Sequence, residues 1–98
     1  MNKQSIFTVT TIRHALQAGN RAVGFFHEFD SAEYALVNNI LDIYEEGYYP
    51  YAVIEEIEPG FYAYPRKELW YHWNRETGKY EPCEKPERFQ QIAGWSLG

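Results

Sequence analysis

Aromatic side chains crowd into one stretch of this chain, and they constrain its fold more than any other feature. Eleven of them lie within residues 44–80. The chain favours tyrosine, with nine tyrosines against six phenylalanines and three tryptophans. Tyrosine and tryptophan join a large apolar ring to one polar atom, so they suit a binding surface as well as a core. The stretch must therefore supply part of the core, part of a binding surface, or both.

The length of the chain predicts a single domain over residues 1–98. A domain of this size buries only roughly two-thirds of the surface that its unfolded chain exposes. Large rings are one way to build a core from few residues, since each buries ~150–250 Å².

Composition also predicts the compartment. No run approaches the roughly 20 apolar residues that a membrane-spanning helix needs, and the first residues show no signal-peptide core. Cys83 is the only cysteine, so the sequence contains no disulfide framework. These features predict a soluble protein of a reducing cytoplasm.

Charge is distributed unevenly along the chain, whose net charge is −5. Residues 1–27 carry three basic side chains and no acidic one, whereas residues 28–58 carry nine acidic side chains and no basic one. The net negative charge argues against general binding to nucleic-acid backbones. The acidic middle segment is either a solvated surface or a complement to the basic first segment, within one molecule or between two.

Two segments near the N-terminus have the composition of β-strands. Residues 6–12 and 21–26 are rich in β-branched and aromatic side chains, and a Gly-Asn pair before the second segment signals a turn. We expect an antiparallel hairpin whose connection, residues 14–20, could hold a helical turn at 15–17.

Helical periodicity predicts one main helix over residues 31–46. Asp30 has the composition of an N-cap, Glu33 is placed to complete a capping box, and Gly47 supplies the stop. The apolar side of this helix contains Ala32, Tyr34, Leu36, Val37, Ile40, Leu41, Ile43 and Tyr44. Its last two residues are glutamates, which the helix dipole disfavours at that end, and we expect solvent rather than a basic partner to accommodate them.

The remaining chain predicts further strands from alternation and turn signals. They are residues 51–57, 61–64, 69–74, 79–82 and 92–97. Residues 75–78 form a plausible hairpin loop. The sequence therefore predicts an α+β fold, with one main helix packed on a mostly antiparallel sheet of about five or six strands.

Signals for catalysis or metal binding are weak. The three histidines lack the paired spacing of zinc hydrolases. Cys83 with a histidine is the one candidate nucleophilic dyad, and nothing marks its thiol as activated. Alternation along the third strand places Glu55 on one face and Glu56 with Glu58 on the other, which we interpret as ordinary solvent-facing acids. We expect no catalytic residue, no metal site and no cofactor.

The strand at residues 69–74 concentrates aromatic rings. Alternation sends Trp70 and His72 to one face and Tyr71 and Trp73 to the other. Both faces cannot be fully exposed in a stable monomer. We expect at least one set to be core, with basic side chains lying along it, and the other to line a pocket, a partner surface or a dimer contact.

Two arginines are candidates for holding an anion. Arg13 and Arg21 flank the connection of the first hairpin with no acidic neighbour in the sequence, and arginine forks suit phosphate and carboxylate groups. Rings beside basic groups can hold nucleobases. The predicted ligand-binding residues are Arg13, Arg21, Trp70, Tyr71 and Trp73.

Several segments together resemble a known family. They are FTVTT at 7–11, VGFF at 23–26, residues 38–43, YYPYAVIEE at 48–56, WY at 70–71 and YEPCEKP at 80–86. Over nearly its full length the chain resembles small uncharacterised proteins of Firmicutes genomes and of their phages and prophages. The resemblance implies no catalytic motif and no site residue. It favours an accessory role in a mobile element, either blocking a host protein or sequestering a nucleotide signal used in defence.

These observations predict a small, non-enzymatic binding protein. The first hypothesis is anti-defence sequestration of a small anionic ligand such as a nucleotide signal, with the arginines on its charge and a ring on its base. The alternative is an inhibitor or adaptor that binds a host protein through its acidic and aromatic surface, including the glutamates of the third strand. The many rings also favour a homo-oligomer, in which a two-fold mate covers an apolar patch.

Overall fold

The computed structural model describes residues 5–13, 20–60, 65–90 and 94–95. The described chain contains the elements β1 (Ile6–Ile12), β2 (Arg21–Phe26), α1 (Phe29–Val37), β3 (Tyr51–Ile57), β4 (Pro65–Asn74) and β5 (Lys79–Cys83), with 3₁₀ turns at Ile40–Asp42, Glu45–Gly47 and Glu87–Phe89. All five strands join one antiparallel sheet in the order β2-β1-β3-β4-β5. The predicted α+β class is therefore confirmed, as one α-helix and a five-stranded antiparallel open sheet. Within the described residues, no helix is both long and apolar enough to cross a membrane.

The predicted strands agree closely with the sheet. β1, β2 and β3 have the predicted bounds, and β1 forms the predicted antiparallel hairpin with β2. β4 and β5 contain the predicted strands at 69–74 and 79–82 and extend beyond them. The predicted hairpin loop joins these two strands, where the Gly78 backbone N–H donates to the Asn74 carbonyl oxygen at 2.9 Å. Local alternation and turn residues therefore determine most of the sheet.

Three predictions fall wholly or mostly on residues that lie outside the described ranges. They are the helical turn at 15–17, the strand at 61–64 and most of the strand at 92–97. Within the last of these, the described Gly94 and Trp95 belong to no strand.

The helix is shorter than predicted, because α1 ends at Val37 rather than at residue 46. Asparagines follow it. The Asn38 side-chain amide donates to the Tyr34 carbonyl oxygen at 2.9 Å, and Asn39 has a left-handed φ of 50°. Asparagine tolerates this conformation, and its side chain competes with helical backbone hydrogen bonds. The prediction of a helix is therefore wrong beyond residue 37.

The predicted capping box is also wrong. The helix begins at Phe29, and the residue before it, Glu28, makes no side-chain cap hydrogen bond. Glu33 instead accepts a hydrogen bond from the Tyr71 hydroxyl at 2.7 Å. The sheet thus supplies Glu33 with a partner that sequence spacing does not reveal.

Two buried clusters lie on opposite faces of the sheet. The first includes two residues of α1 and consists of Val9, Ala32, Leu36, Ala52, Ile54, Tyr71 and Tyr80. The second consists of Ile12, Val53, Trp70 and Phe89. Consecutive residues of β3 and β4 alternate between the clusters, as strand geometry requires. The predicted division of the β4 rings between two faces is therefore confirmed for Trp70 and Tyr71.

Three side chains predicted on the apolar side of the helix are exposed, among them Ile40, which is 42% exposed. Tyr34 lies on α1 with most of its ring in solvent, and Leu41 is 94% exposed. Leu41 follows the end of α1, so the helical periodicity that predicted its burial no longer applies there. Only Ala32 and Leu36 of α1 are fully buried, and the half-buried Phe29 and Val37 pack against the same cluster.

Candidate functional site

The two arginines of the predicted site lie at one end of the sheet, where β1 finishes and β2 begins. Arg21 pairs with Thr11 across the hairpin. Just beyond β1, the Arg13 backbone N–H donates to the Asn20 side-chain oxygen at 3.3 Å. Neighbouring strands therefore present both guanidinium groups at the same end of the molecule.

The antiparallel register brings the end of β4 to this same end. Tyr51 of β3 lies between Ile12 of β1 and His72 of β4. The next residue, Trp73, donates its backbone N–H to the Pro50 carbonyl oxygen at 2.9 Å. The structure thus brings together the two arginines and one of the three predicted rings.

A further ring, Tyr48, lies at this end and was not assigned to the site from the sequence. The guanidinium carbon of Arg13 lies 4.8 Å from the centre of the Tyr48 ring, which is a cation–π contact. The Tyr48 residue is 58% exposed. The sequence feature that could have identified Tyr48 as an exposed ring is its position directly after Gly47, because a ring within a turn is difficult to bury.

Three further rings at this end pack against one another. Trp73 and Tyr44 stack with ring centres 3.8 Å apart and planes within 10°, and Tyr80 meets both rings edge-on. The Tyr80 hydroxyl donates to the Tyr49 carbonyl oxygen at 2.6 Å. Burial raises the pKa of Tyr80 well above its ordinary value of 10.0. The cluster anchors the turn that carries Tyr48. We call Arg13, Arg21, Tyr44, Tyr48 and Trp73 the arginine–tyrosine end.

Arg21 has an acidic partner in the structure. Its Nη1 atom lies 2.6 Å from Oε2 of Glu45, and both side chains are exposed. The expectation that solvent alone accommodates Glu45 is therefore wrong, and one residue of the basic first segment pairs with one of the acidic middle segment within the molecule. An exposed ion pair contributes only ~0–1 kcal/mol. An anionic ligand could replace Glu45 at small cost.

The other two predicted rings lie elsewhere. Trp70 is 4% exposed, stacks on Phe89 with ring centres 5.5 Å apart, and donates its indole N–H to Glu68 at 3.0 Å. Tyr71 is buried on the opposite face, where its hydroxyl contacts Glu33. The sheet therefore separates Trp70 from the arginine–tyrosine end. Ligand binding by these two residues stays a prediction.

A cavity of about 490 Å³ lies beside Tyr71, where β5 ends. Its lining carries three carboxylates, on Glu33, Glu68 and Glu84, against the single ammonium group of Lys85. These carboxylates repel an anionic ligand, because like charges repel. This cavity is therefore a poor site for the anionic ligand that the sequence predicts.

Cys83, the candidate nucleophile, lies at the end of β5 and is half-buried. Burial and the neighbouring Glu84 raise the pKa of the Cys83 thiol, which disfavours the nucleophilic thiolate. Among the described residues, no group of three or more His, Cys, Asp and Glu side chains could hold a metal ion. His14 lies outside those residues.

The interpretation of Glu55 as a solvent-facing acid is wrong. Glu55 is fully buried within β3, and its Oε2 atom accepts the Trp95 backbone N–H at 2.9 Å. Glu56, which alternation places on the other face, is only half-buried. A segment that is distant in the sequence therefore covers the face on which Glu55 lies.

Comparisons of the chain with protein-family models, with curated proteins and with solved structures found no match. The function is therefore inferred from the geometry of the described residues.

Proposed function

We propose that this protein binds a small anionic ligand that carries an aromatic ring, with nucleotides as the best-fitting class. The observation that carries this proposal is the pairing of Arg13 with the exposed ring of Tyr48, beside Arg21. Aromatic faces are sequence-tolerant platforms for nucleobases, and arginine forks bind phosphate oxygens in pairs.

Cationic side chains at this end of the sheet also support an anion. Arg21 can exchange its exposed contact with Glu45 for a phosphate group, because the existing ion pair is weak. The hairpin between β4 and β5 adds exposed Arg75 and Lys79 at the same end. Carboxylates lie at this end too, with Asp42 and Glu45 beside Arg21 and Glu76 in the hairpin, so the arginine forks rather than the net charge of this end support the proposal.

The aromatic part of the ligand stacks on Tyr48 in this proposal. The stacked pair of Trp73 and Tyr44 holds the turn beneath it, so the platform exists before the ligand arrives. In a phage-related protein of the kind that the chain resembles, such a site would bind a nucleotide signal without catalysis. The bound signal would then not reach a host defence pathway.

Replacing Arg21 or Tyr48 with alanine tests the site. We expect Arg21→Ala and Tyr48→Ala each to weaken nucleotide binding by about tenfold or more, since each removes a contact of ~1–3 kcal/mol. Calorimetry against mononucleotides, cyclic nucleotides and ADP-ribose compounds measures the change. The matched control is Arg66→Ala, because Arg66 is equally exposed and pairs with Glu58 at 3.0 Å.

The control should bind like the wild type. Absence of heat with every compound in the panel, on wild-type protein shown to be folded, would contradict the proposal. So would an equal loss of affinity in Arg66→Ala, because that result would indicate unspecific attraction between charges.

The inhibitor or adaptor that binds a host protein stays a second prediction, with less support. One of the three glutamates assigned to its acidic surface, Glu55, is buried. Another, Glu58, already pairs with Arg66 at 3.0 Å. The remaining carboxylate of this group, Glu56, is half-buried in β3.

A further inference from the structure

An apolar groove lies between β2 and the segment that follows α1. It is lined by Val9, Val23, Gly24, Phe26, Ala35, Leu36, Ile40, Leu41 and Ile43. Its volume of about 110 Å³ is well below the ~300–1,000 Å³ of small-molecule pockets. The groove is therefore suited to one inserted aliphatic side chain rather than to a whole ligand.

Gly24 forms part of the groove, and nothing in the monomer requires a glycine there. A Cβ atom added to Gly24 would meet no atom within 4 Å, and its φ lies outside the left-handed region. Glycine inside a strand weakens the strand, and it often marks a place where another backbone approaches closely. The missing side chain leaves this part of the groove open.

The neighbouring surface is apolar and exposed. Leu41 stands at the rim of the groove and is 94% exposed, and Ile40, which also lines the groove, is 42% exposed. β2 is one of the two edge strands of the described sheet, and edge strands can pair with another chain. A projecting side chain and a recess therefore lie side by side on one patch.

We propose that the occupant of this groove is a second copy of the chain, related by a two-fold axis. A two-fold interface uses the same patch on both copies, so it requires a projection and a recess on that patch. Leu41 and the groove over Gly24 meet this requirement. Each Leu41 inserts into the groove of the other copy, while the two β2 edges run antiparallel.

Charge complementarity favours a second copy over an unrelated partner. Arg21 begins β2, and the exposed Glu28 follows its last residue by two positions. Antiparallel pairing of two β2 strands brings Glu28 of one copy toward Arg21 of the other at both ends of the contact, where it adds to the exposed pair of Arg21 with Glu45 of the same molecule. A register shift opposite Val9 interrupts the regular ladder of β2, so insertion of Leu41 must supply much of the contact.

Gly24→Val tests the proposal while leaving the monomer intact, because the new side chain enters open space and suits a strand. Sedimentation velocity from low to high micromolar concentration should show a wild-type dimer of twice 11.6 kDa. Gly24→Val and Leu41→Gly should each weaken dimerisation at least about tenfold. Tyr34→Ser is the matched control, since it removes an exposed ring that does not line the groove and should leave the dimer unchanged.

A wild-type chain that stays monomeric at high micromolar concentration overturns the proposal. A Gly24→Val protein that dimerises as tightly as the wild type also overturns it, because the groove would then be filled without effect. A loss of dimer in Tyr34→Ser equal to that in Gly24→Val would assign the contact to another surface.

Discussion

At the scale of single residues, the least expected feature is the buried carboxyl group of Glu55. It lies in β3 on the face of Val53 and accepts the backbone N–H of Trp95. A buried polar group destabilises a fold unless it is hydrogen-bonded, so Glu55 and the segment around Trp95 depend on each other. Alternation could assign Glu55 to a face, but it could not show that a distant segment covers that face.

We expect Glu55→Ala to lower the free energy of unfolding by about 2–4 kcal/mol, since it leaves the Trp95 N–H unpaired and opens a cavity. Urea denaturation followed by tryptophan fluorescence measures this loss. Glu56→Ala, on the other face of the same strand, is the control and should cost clearly less. A change within about 0.5 kcal/mol of the wild type for Glu55→Ala would contradict this account.

Tyr80 and Tyr71 should make the fold sensitive to alkali. Burial raises the pKa of each hydroxyl above 10.0, and the hydrogen bond to Glu33 adds to the effect for Tyr71. Above pH 10.0 the unfolded tyrosines lose protons that the folded ones keep, so unfolding becomes more favourable as pH rises. The stabilising contribution is fully present below that pH.

Tyr80→Phe should lower the free energy of unfolding by about 1 kcal/mol at neutral pH, because the hydrogen bond to the Tyr49 carbonyl oxygen is lost. It should also make the decline of stability with alkaline pH shallower. Denaturant titrations from neutral to alkaline pH measure both effects. The exposed Tyr34→Phe is the control, and an equally shallow decline in that variant would refute the assignment to Tyr80.

At the scale of elements, the segment after α1 departs most from its sequence pattern. Five non-glycine residues there have positive φ: Asn39, Leu41, Asp42, Glu45 and Glu46. A left-handed conformation costs roughly 1–2 kcal/mol for an ordinary L-residue. Two tertiary contacts offset this cost, because Tyr44 stacks on Trp73 and Glu45 pairs with Arg21. A continuous helix would carry Tyr44 and Glu45 along its own axis instead of turning them back toward the sheet.

Leu41→Gly should raise the stability of the monomer by about 1 kcal/mol, because Leu41 has a φ of 58° and buries almost nothing. Thermal unfolding of dilute, monomeric protein measures the gain. Ile40→Gly is the matched control, since its neighbouring position has no positive φ and its side chain lines the groove. The Ile40→Gly variant should be less stable than the wild type. If Leu41→Gly is also less stable, the substitution relieves no backbone strain.

At the scale of the whole molecule, the open sheet determines which residues can act together. The antiparallel register collects Arg13, Arg21 and Trp73 at one end, although the chain separates the arginines from the tryptophan by more than fifty residues. The same register keeps Trp70 in the cluster on the other face. The proposed ligand site and the proposed dimer contact lie on the same face of the sheet, the one on which α1 packs. The two surfaces adjoin near Arg21.

The sequence alone determined most of the described strands, their hairpins and the two-faced arrangement of the β4 rings, because alternation and turn chemistry act over a few residues. It also identified the arginines and Trp73 as candidates. Only the tertiary structure decided where the helix ends, that Glu33 contacts Tyr71, that Glu55 is buried and that Tyr48 lies under Arg13. Each of these depends on which distant segment covers a given face, and local periodicity carries no information about that contact.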